Sequence, residues 1–361
     1  VRTAAETLLD GPRGRRLCLE YATAVDQELH TAAFRVAFAE PREGTSVVRL
    51  YEDGAAGDEQ TDERTELAAE DVAAMIEARS AASSPSTASI PSDAAVRGAL
   101  RRSVDAARYW QEPDEEDVLA GHPEIRSALT GIAELLLRSP LIADRSAPPA
   151  ATQWAVEWRP DTARALPTDA AALLEEWCTA LREEEERAVR ERPLDPTANW
   201  SGTWWSLPLR LLQTRSRIDD LLELDEDSLG PEAATVIPVS GAGRTLEIGS
   251  AEDWAELCRA CPAEVTASRR HDWYRVTGWE GRWLVPDWQR VAADWDAAHL
   301  TTLGYLSGAT RLIPIDEDHA TVIGGWAPDS TLWLTDAARE ADAPRQQWRR
   351  AQGEDAWRRT A

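Results

Sequence analysis

The residue order predicts an α+β chain: a mainly helical domain over residues 1–145, a Trp-rich α+β domain with short antiparallel strands over 150–336, and a polar helical tail over 337–361. Three observations carry this reading. Apolar side chains in the first 145 residues recur at helical spacing. Of the 17 tryptophans, 16 fall after residue 150, so the second half is built differently from the first. Beyond residue 200, short alternating or β-branched runs are interleaved with short helical patterns, which fits a mixed sheet better than a regular βαβ series.

Taken in order, residues 4–40 read as helix. Thr3 stands three residues before Glu6, the spacing of a capping box. Gly11-Pro12 breaks the pattern and restarts it, and Leu17, Leu19, Tyr21, Val25 and Leu29 form a loose apolar face. Val47–Tyr51 predicts a short strand, residues 52–66 an acidic loop, and Ala68–Ala78 a helix. Ser80–Ser92, rich in Ser, Ala and Pro, reads as a flexible connection. Helices are expected at 93–110 and 123–138, the second opening on Pro123 and carrying Ile125, Leu129, Ile132 and Leu135–Leu137. Pro140, Pro148 and Pro149 place a boundary near 145.

In the second half, Trp154, Val156 and Trp158 alternate as a strand over Thr152–Trp158. Residues 168–191 read as a charged helix whose Glu183–Glu186 run is a solvated face. Further strands are expected at Gly202–Ser206, Ala234–Val239, Arg244–Ile248, Arg282–Val285, Ala297–Thr301, Ala320–Gly324 and Thr331–Leu334. Helices are expected at Ala251–Arg259, Asp287–Asp294 and Leu303–Ala309. Gly241-Ala-Gly243 reads as a turn between strands. Gly324–Leu334 reads as a hairpin, with strands 320–326 and 331–335 and Asp329 in the turn.

Composition narrows the function classes. A length of 361 residues with 43% hydrophobic side chains fits about two folded domains and excludes a disordered chain. Asp and Glu number 64 against 39 basic residues, all of them Arg, for a net charge of −25. A field of that sign repels phosphate backbones and anionic membrane surfaces, so neither nucleic acid nor a membrane is an expected partner. No apolar run reaches the roughly 18 residues of a membrane helix. Val1–Leu9 lacks the apolar core of a signal peptide, and four cysteines do not make a disulfide scaffold, so a cytoplasmic location is expected. No motif names a cofactor: there is no dinucleotide fingerprint, Walker loop, nucleophile elbow or zincin helix. Cys258-Arg-Ala-Cys261 is a lone pair at a helix end and reads as structural, so no metal is expected.

The densest chemistry lies in His271-Asp-Trp-Tyr-Arg-Val-Thr-Gly278 and its continuation through Trp283 to Trp288. Aromatic faces with fixed polar groups between them suit a small-molecule pocket, though Trp also fills cores. The first hypothesis is therefore a ligand-binding or group-transfer domain for a nucleotide-like or sugar-like molecule. Its pocket is walled by Trp273, Trp283, Trp288 and Trp326, with Tyr274, Arg275 and Tyr305 contributing contacts. His299 or His271 serves as general base or orienting group, and Asp272 and Asp329 stabilise developing positive charge. The second hypothesis is a non-catalytic module whose helical half docks a protein partner and whose tryptophans are core.

Pro12-Arg-Gly-Arg-Arg-Leu-Cys18, Arg108-Tyr-Trp-Gln-Glu-Pro-Asp114, His271–Gly278 and Pro286–Trp288 together resemble a family of proteins from high-GC actinobacteria. That resemblance spans most of the chain and implies a bacterial cytoplasmic origin without implying an activity. At the level of fold the second half is also similar to ADP-ribosyltransferase-type domains. That likeness implies roles for His299 on a strand and Tyr305 on the following helix, with Asp329 where those enzymes usually carry Glu.

Overall fold

The computed structural model describes residues 2–39, 67–82, 91–145, 148–158, 165–226, 232–351, 354 and 356–360. It is α+β, with helices concentrated before residue 145 and strands after it. The expected strand at Val47–Tyr51, the loop at 52–66, and most of the Ser80–Ser92 connection lie outside the described residues.

The first half is a layer of short helices: Ala4–Asp10, Pro12–Ala24, Gln27–Ala37, Ala69–Ala82, Asp93–Asp105, Glu115–Gly121, Pro123–Ala128, Thr130–Leu137 and Pro140–Asp144. Their boundaries follow local chemistry. The Thr3 hydroxyl accepts from the Glu6 N–H, and the Glu6 carboxylate accepts from the Thr3 N–H at 2.7 Å, closing the expected capping box. Asp26, Ser92 and Asp114 cap later helices through their side chains, and Pro12, Pro123 and Pro140 open others. The helix expected at 93–110 stops at Asp105, and Glu115–Gly121 is a helix that apolar spacing does not reveal, because few of its seven residues are buried.

The second half carries two sheets. The large one runs, edge to edge, Arg358–Arg359, Gln346–Arg349, Ala233–Gly241, Thr152–Glu157, Gln213–Arg215, Ser330–Trp333, Ala297–Leu300, Thr245–Ile248. All of its neighbours are antiparallel except the last pair, and Ala338–Glu340 joins it beside Ala233–Gly241. The small sheet runs Pro262–Glu264, Arg282–Pro286, His319–Thr321, Ile313–Pro314. Helices Ala170–Glu191, Ile218–Glu223, Ala251–Ala260, Thr266–Thr277, Trp288–Val291 and Thr302–Gly308 surround the sheets.

Four expectations are corrected here. The hairpin over 320–335 does not form: His319–Thr321 pairs within the small sheet, whereas Ser330–Trp333 lies inside the large one. Gly324-Gly325 carries the chain between sheets, Gly325 at φ 72°. The tail is not helical. Gln346–Arg349 pairs with Ala233–Gly241, because Trp348 and Trp357 pack against the cluster of Leu221, Leu222, Ala234 and Val236, where the Trp357 ring meets that of Trp158 at 6.0 Å. Gly202–Ser206 forms no strand; its backbone is instead tied to neighbouring elements, Gly202 N–H to Asp272 and Ser206 N–H to the Gly324 carbonyl. The helix expected at Asp287–Asp294 is also shorter, spanning Trp288–Val291.

One continuous apolar core takes side chains from both sides of residue 145, from Leu8, Leu17 and Leu136 to Leu300, Leu306 and Trp326. Among the described residues no helix is long and apolar enough to cross a membrane.

Candidate functional site

The middle of the large sheet places a polar cluster at the foot of a cavity of about 770 Å³. The cavity's walls are mixed, with Val156, Trp158, Leu166, Trp204, Leu211 and Ile237 among the apolar residues. Its polar lining includes Arg215, Asp225, Glu226 and Ser330. Arg215 ends the strand Gln213–Arg215 and pairs in register with Ser330 and with Trp154. Asp225 and Glu226 follow the helix Ile218–Glu223, so one short excursion from the sheet delivers both acids.

Glu226 is the best-defined group. The Tyr109 hydroxyl donates to its Oε1 at 2.5 Å, and Tyr305 flanks it from the helix Thr302–Gly308. Burial, reinforced by the neighbouring Asp225, pushes the carboxyl up to about 7 despite those hydroxyls. Tyr109 and Tyr305 are both fully buried, and burial followed by the Glu226 charge raises both phenols well above the ordinary range. Tyr109 is itself held by stacking: its ring lies 5.2 Å from that of Trp204 at 12°. A cavity wall and the support of the half-buried Glu226 are thus one aromatic stack.

Behind this foot lies a second layer of buried charge. Arg215 donates to the Asp220 carbonyl oxygen, and Arg145 donates to Asp220 Oδ1 at 2.6 Å. Asp329 follows with φ 51°, its carboxyl 3.7 Å from Arg217 and 3.6 Å from His299 Nε2. His299 Nδ1 lies 3.0 Å from Thr331 Oγ1, its partner in register on the next strand. Burial pushes Asp329 up to about 7, with Asp220 adding to the rise, and pushes His299 down to about 4. Asp220 Oδ2, Asp329 Oδ2, His299 Nε2 and Arg145 Nε are buried without a hydrogen-bond partner. Burial of this many unanswered polar atoms costs stability, which sequences tolerate at functional positions.

The structure brings some of the predicted residues together and separates others. His299 and Asp329 approach to 3.6 Å, and Tyr305 lies beside Glu226 with its hydroxyl buried and unbonded. His271, Asp272, Trp273, Tyr274 and Arg275 instead share the helix Thr266–Thr277. There Asp272 accepts from Gly202 N–H and from Arg275, both at 2.9 Å, and Arg275 also donates to the carbonyls of Trp110, Ala198 and Trp200. These bonds staple the helix to the loop at 198–202. His271 is buried with neither ring nitrogen bonded, and burial, with Arg270 next, lowers its pKa.

The four tryptophans expected to wall one pocket sit in two interior clusters. Trp273 and Trp283 pack edge to face at 5.2 Å in one, and Trp288 and Trp326 join Trp254 in the other. Trp273 and Trp288 donate to the carbonyls of Trp204 and Ser206. All four rings are at most 1% exposed, and none lines the 770 Å³ cavity. These indoles supply apolar volume to the interior, and Trp326 Nε1 is buried there without an acceptor.

Arg215, Asp225, Glu226, Tyr109 and Trp204 were not singled out from sequence. Tyr109 and Trp204 stand in aromatic clusters visible there, but Asp225-Glu226 reads as the ordinary charged end of an amphipathic helix. Among the described residues no group of three or more His, Cys, Asp or Glu side chains is placed to hold a metal ion. Cys258 is buried with Sγ 3.7 Å from Thr321 Oγ1, and Cys261 forms no disulfide. Comparison with known proteins returned no matching family model, no matching curated protein and no matching solved structure.

Proposed function

We propose that the chain binds a small glycosyl ligand, a sugar or nucleoside, in the 770 Å³ cavity, and that Asp225 and Glu226 act on its glycosidic centre. The observation that supports this most is the pairing of consecutive carboxyl groups with an aromatic wall at the cavity foot. Trp158 and Trp204 offer faces on which a sugar or base ring stacks. Two acids beside Arg215 favour neutral hydroxyl-bearing groups over phosphates. A protonated Glu226 is suited to give its proton to the leaving oxygen or nitrogen, and the Asp225 carboxyl beside it to stabilise the positive charge that grows on the sugar carbon.

The test is a thermal-shift and tryptophan-fluorescence panel of monosaccharides and nucleosides, followed by hydrolysis assays on whatever binds. A binding member raises the melting temperature by mass action and changes the emission of Trp204. Glu226→Gln is expected to keep ligand binding and lose at least ~100-fold in turnover. Because the acid form is the active one, turnover is expected to fall as pH rises through about 7. A panel that shifts neither melting nor emission rejects the reading.

A further inference from the structure

The large sheet is split where the 770 Å³ cavity opens. Thr152–Glu157 and Gln213–Arg215 are neighbours in it, yet they share one register pair, Trp154 with Arg215. Each strand is paired along its whole length on the other side. Thr152–Glu157 matches Ala233–Gly241 at six positions, and Gln213–Arg215 matches Ser330–Trp333 at three. Had the ladder between them continued, Val156 would pair with Gln213. Both residues instead line the cavity.

The ladder on the far side fixes which main-chain groups face this gap. The Trp333 N–H donates to the Leu212 carbonyl at 2.9 Å, so residue 212 turns its main-chain polar groups toward Ser330–Trp333. Those groups alternate sides along an antiparallel strand, and Gln213 and Arg215 therefore turn theirs toward Thr152–Glu157. Arg215 meets Trp154 there. Gln213 meets the cavity, and Val156, two residues on from Trp154, turns its N–H and C=O into the same gap. Main-chain N–H and C=O are obligatory hydrogen-bonding groups, so this part of the cavity favours a ligand edge that carries both a donor and an acceptor.

We propose that the glycosyl ligand of this cavity is a nucleoside, its base lying in the split of the sheet and its sugar beside Asp225 and Glu226. This rests on the glycosyl reading and narrows it. A nucleobase combines flat apolar faces with adjacent donors and acceptors along one edge, which a monosaccharide does not. Trp158 follows Val156 on the same face of its strand, and Leu221 packs into one apolar cluster with both, so a flat ring has a stacking surface beside the main-chain groups. Arg215 stands at the last rung of the ladder, and the Asp225 charge acts on its guanidinium, which sets the acids next to the closed end of the split. The volume lies within the roughly 300–1,000 Å³ that encloses a ligand larger than one sugar ring.

Isothermal titration of the full chain compares adenosine and uridine with methyl riboside and glucose. A nucleoside is expected to bind about ten-fold tighter than methyl riboside, or more. Amide hydrogen exchange at Gln213 and Val156 is expected to slow about ten-fold or more with the nucleoside and to stay unchanged with methyl riboside. Trp158→Ala is expected to remove the advantage of the nucleoside and to leave methyl riboside binding within about two-fold. Should Trp158→Ala fail to fold, exchange in the unmodified chain decides. Methyl riboside or glucose binding as tightly as the nucleosides overturns the base assignment and leaves the glycosyl reading standing. Tight nucleoside binding with exchange at Gln213 unchanged overturns the base assignment as well. No binding by any of the four probes overturns both.

Discussion

Asp329 occupies a left-handed backbone position, φ 51°, that only Gly, Asn and Asp adopt at low cost. Its carboxyl is buried and raised to about 7, against roughly 3.9 for the unfolded chain. Between those values the native state holds a proton that the unfolded state has lost. Stability from this group is therefore fullest below pH 4 and declines as pH rises to 7. Asp329→Asn keeps the shape, tolerates the same φ and carries no charge. Its stability relative to the parent is expected to be near zero at pH 4 and to grow to roughly 2–4 kcal/mol in its favour by pH 8. His299 works in the opposite sense: its pKa falls to about 4 from 6.5, so its contribution is present above 6.5 and lost as pH falls toward 4. Urea unfolding of both proteins at pH 4.5 and pH 8 separates the two, and a gap that does not change with pH sinks the assignment to Asp329. Residues of this kind are legible in sequence as types but not as partners. His299 and Asp329 stand out as ionisable groups among apolar neighbours, whereas nothing around Glu226 signals that Tyr109, 117 positions earlier, closes over it.

The helix Thr266–Thr277 shows what spacing alone leaves out. Its N-cap residue is Val265, which has no side-chain oxygen to answer the first N–H groups. Glu185, on the helix Ala170–Glu191, accepts from the Ala267 and Ser268 N–H groups at 2.7 and 2.8 Å, so the cap comes from another element. Glu184 beside it pairs with Arg192 and with the buried Arg269. The Glu183–Glu186 run is thus only half a solvated face: Glu183 and Glu186 are exposed, and the middle two dock a helix. Glu185→Ala is expected to cost about 1–2 kcal/mol in chemical denaturation, the scale of a lost cap with charge. Glu183→Ala is expected to stay within about 0.5 kcal/mol, and equal effects at the two positions count against the docking role. Where pattern and structure agree, as in the capping box at Thr3 or the alternation from Trp154 to Trp158, the signal is local. They part at the 320–335 segment because a Gly-Gly step between two strands looks the same whether the strands pair with each other or with different sheets. They part again in the tail, whose polar residues disguise the two indoles that seat it.

At the scale of the molecule, the question is whether the helical layer and the sheets are one cooperative unit. The shared core argues that they are, and Gly11 shows where the contact is tightest. A Cβ at residue 11 would collide with the Leu306 carbonyl oxygen and the Ser307 backbone, so only glycine lets the first helices close onto the helix Thr302–Gly308. That same helix carries Tyr305 to Glu226, so the seat of the candidate site is fixed partly by a contact more than 290 positions away in the chain. Gly11→Val must push the two backbones apart and is expected to destabilise the protein by about 1–3 kcal/mol or more. The two halves carry different probes: far-ultraviolet circular dichroism weights the helical layer, and tryptophan emission reports almost wholly on residues after 150. If the core is shared, both probes shift to the same lower midpoint in the variant, because coupled elements unfold together. If the emission midpoint stays at its parental value while the dichroism midpoint drops, the halves unfold separately, and the geometry around Glu226 owes nothing to the N-terminal helices.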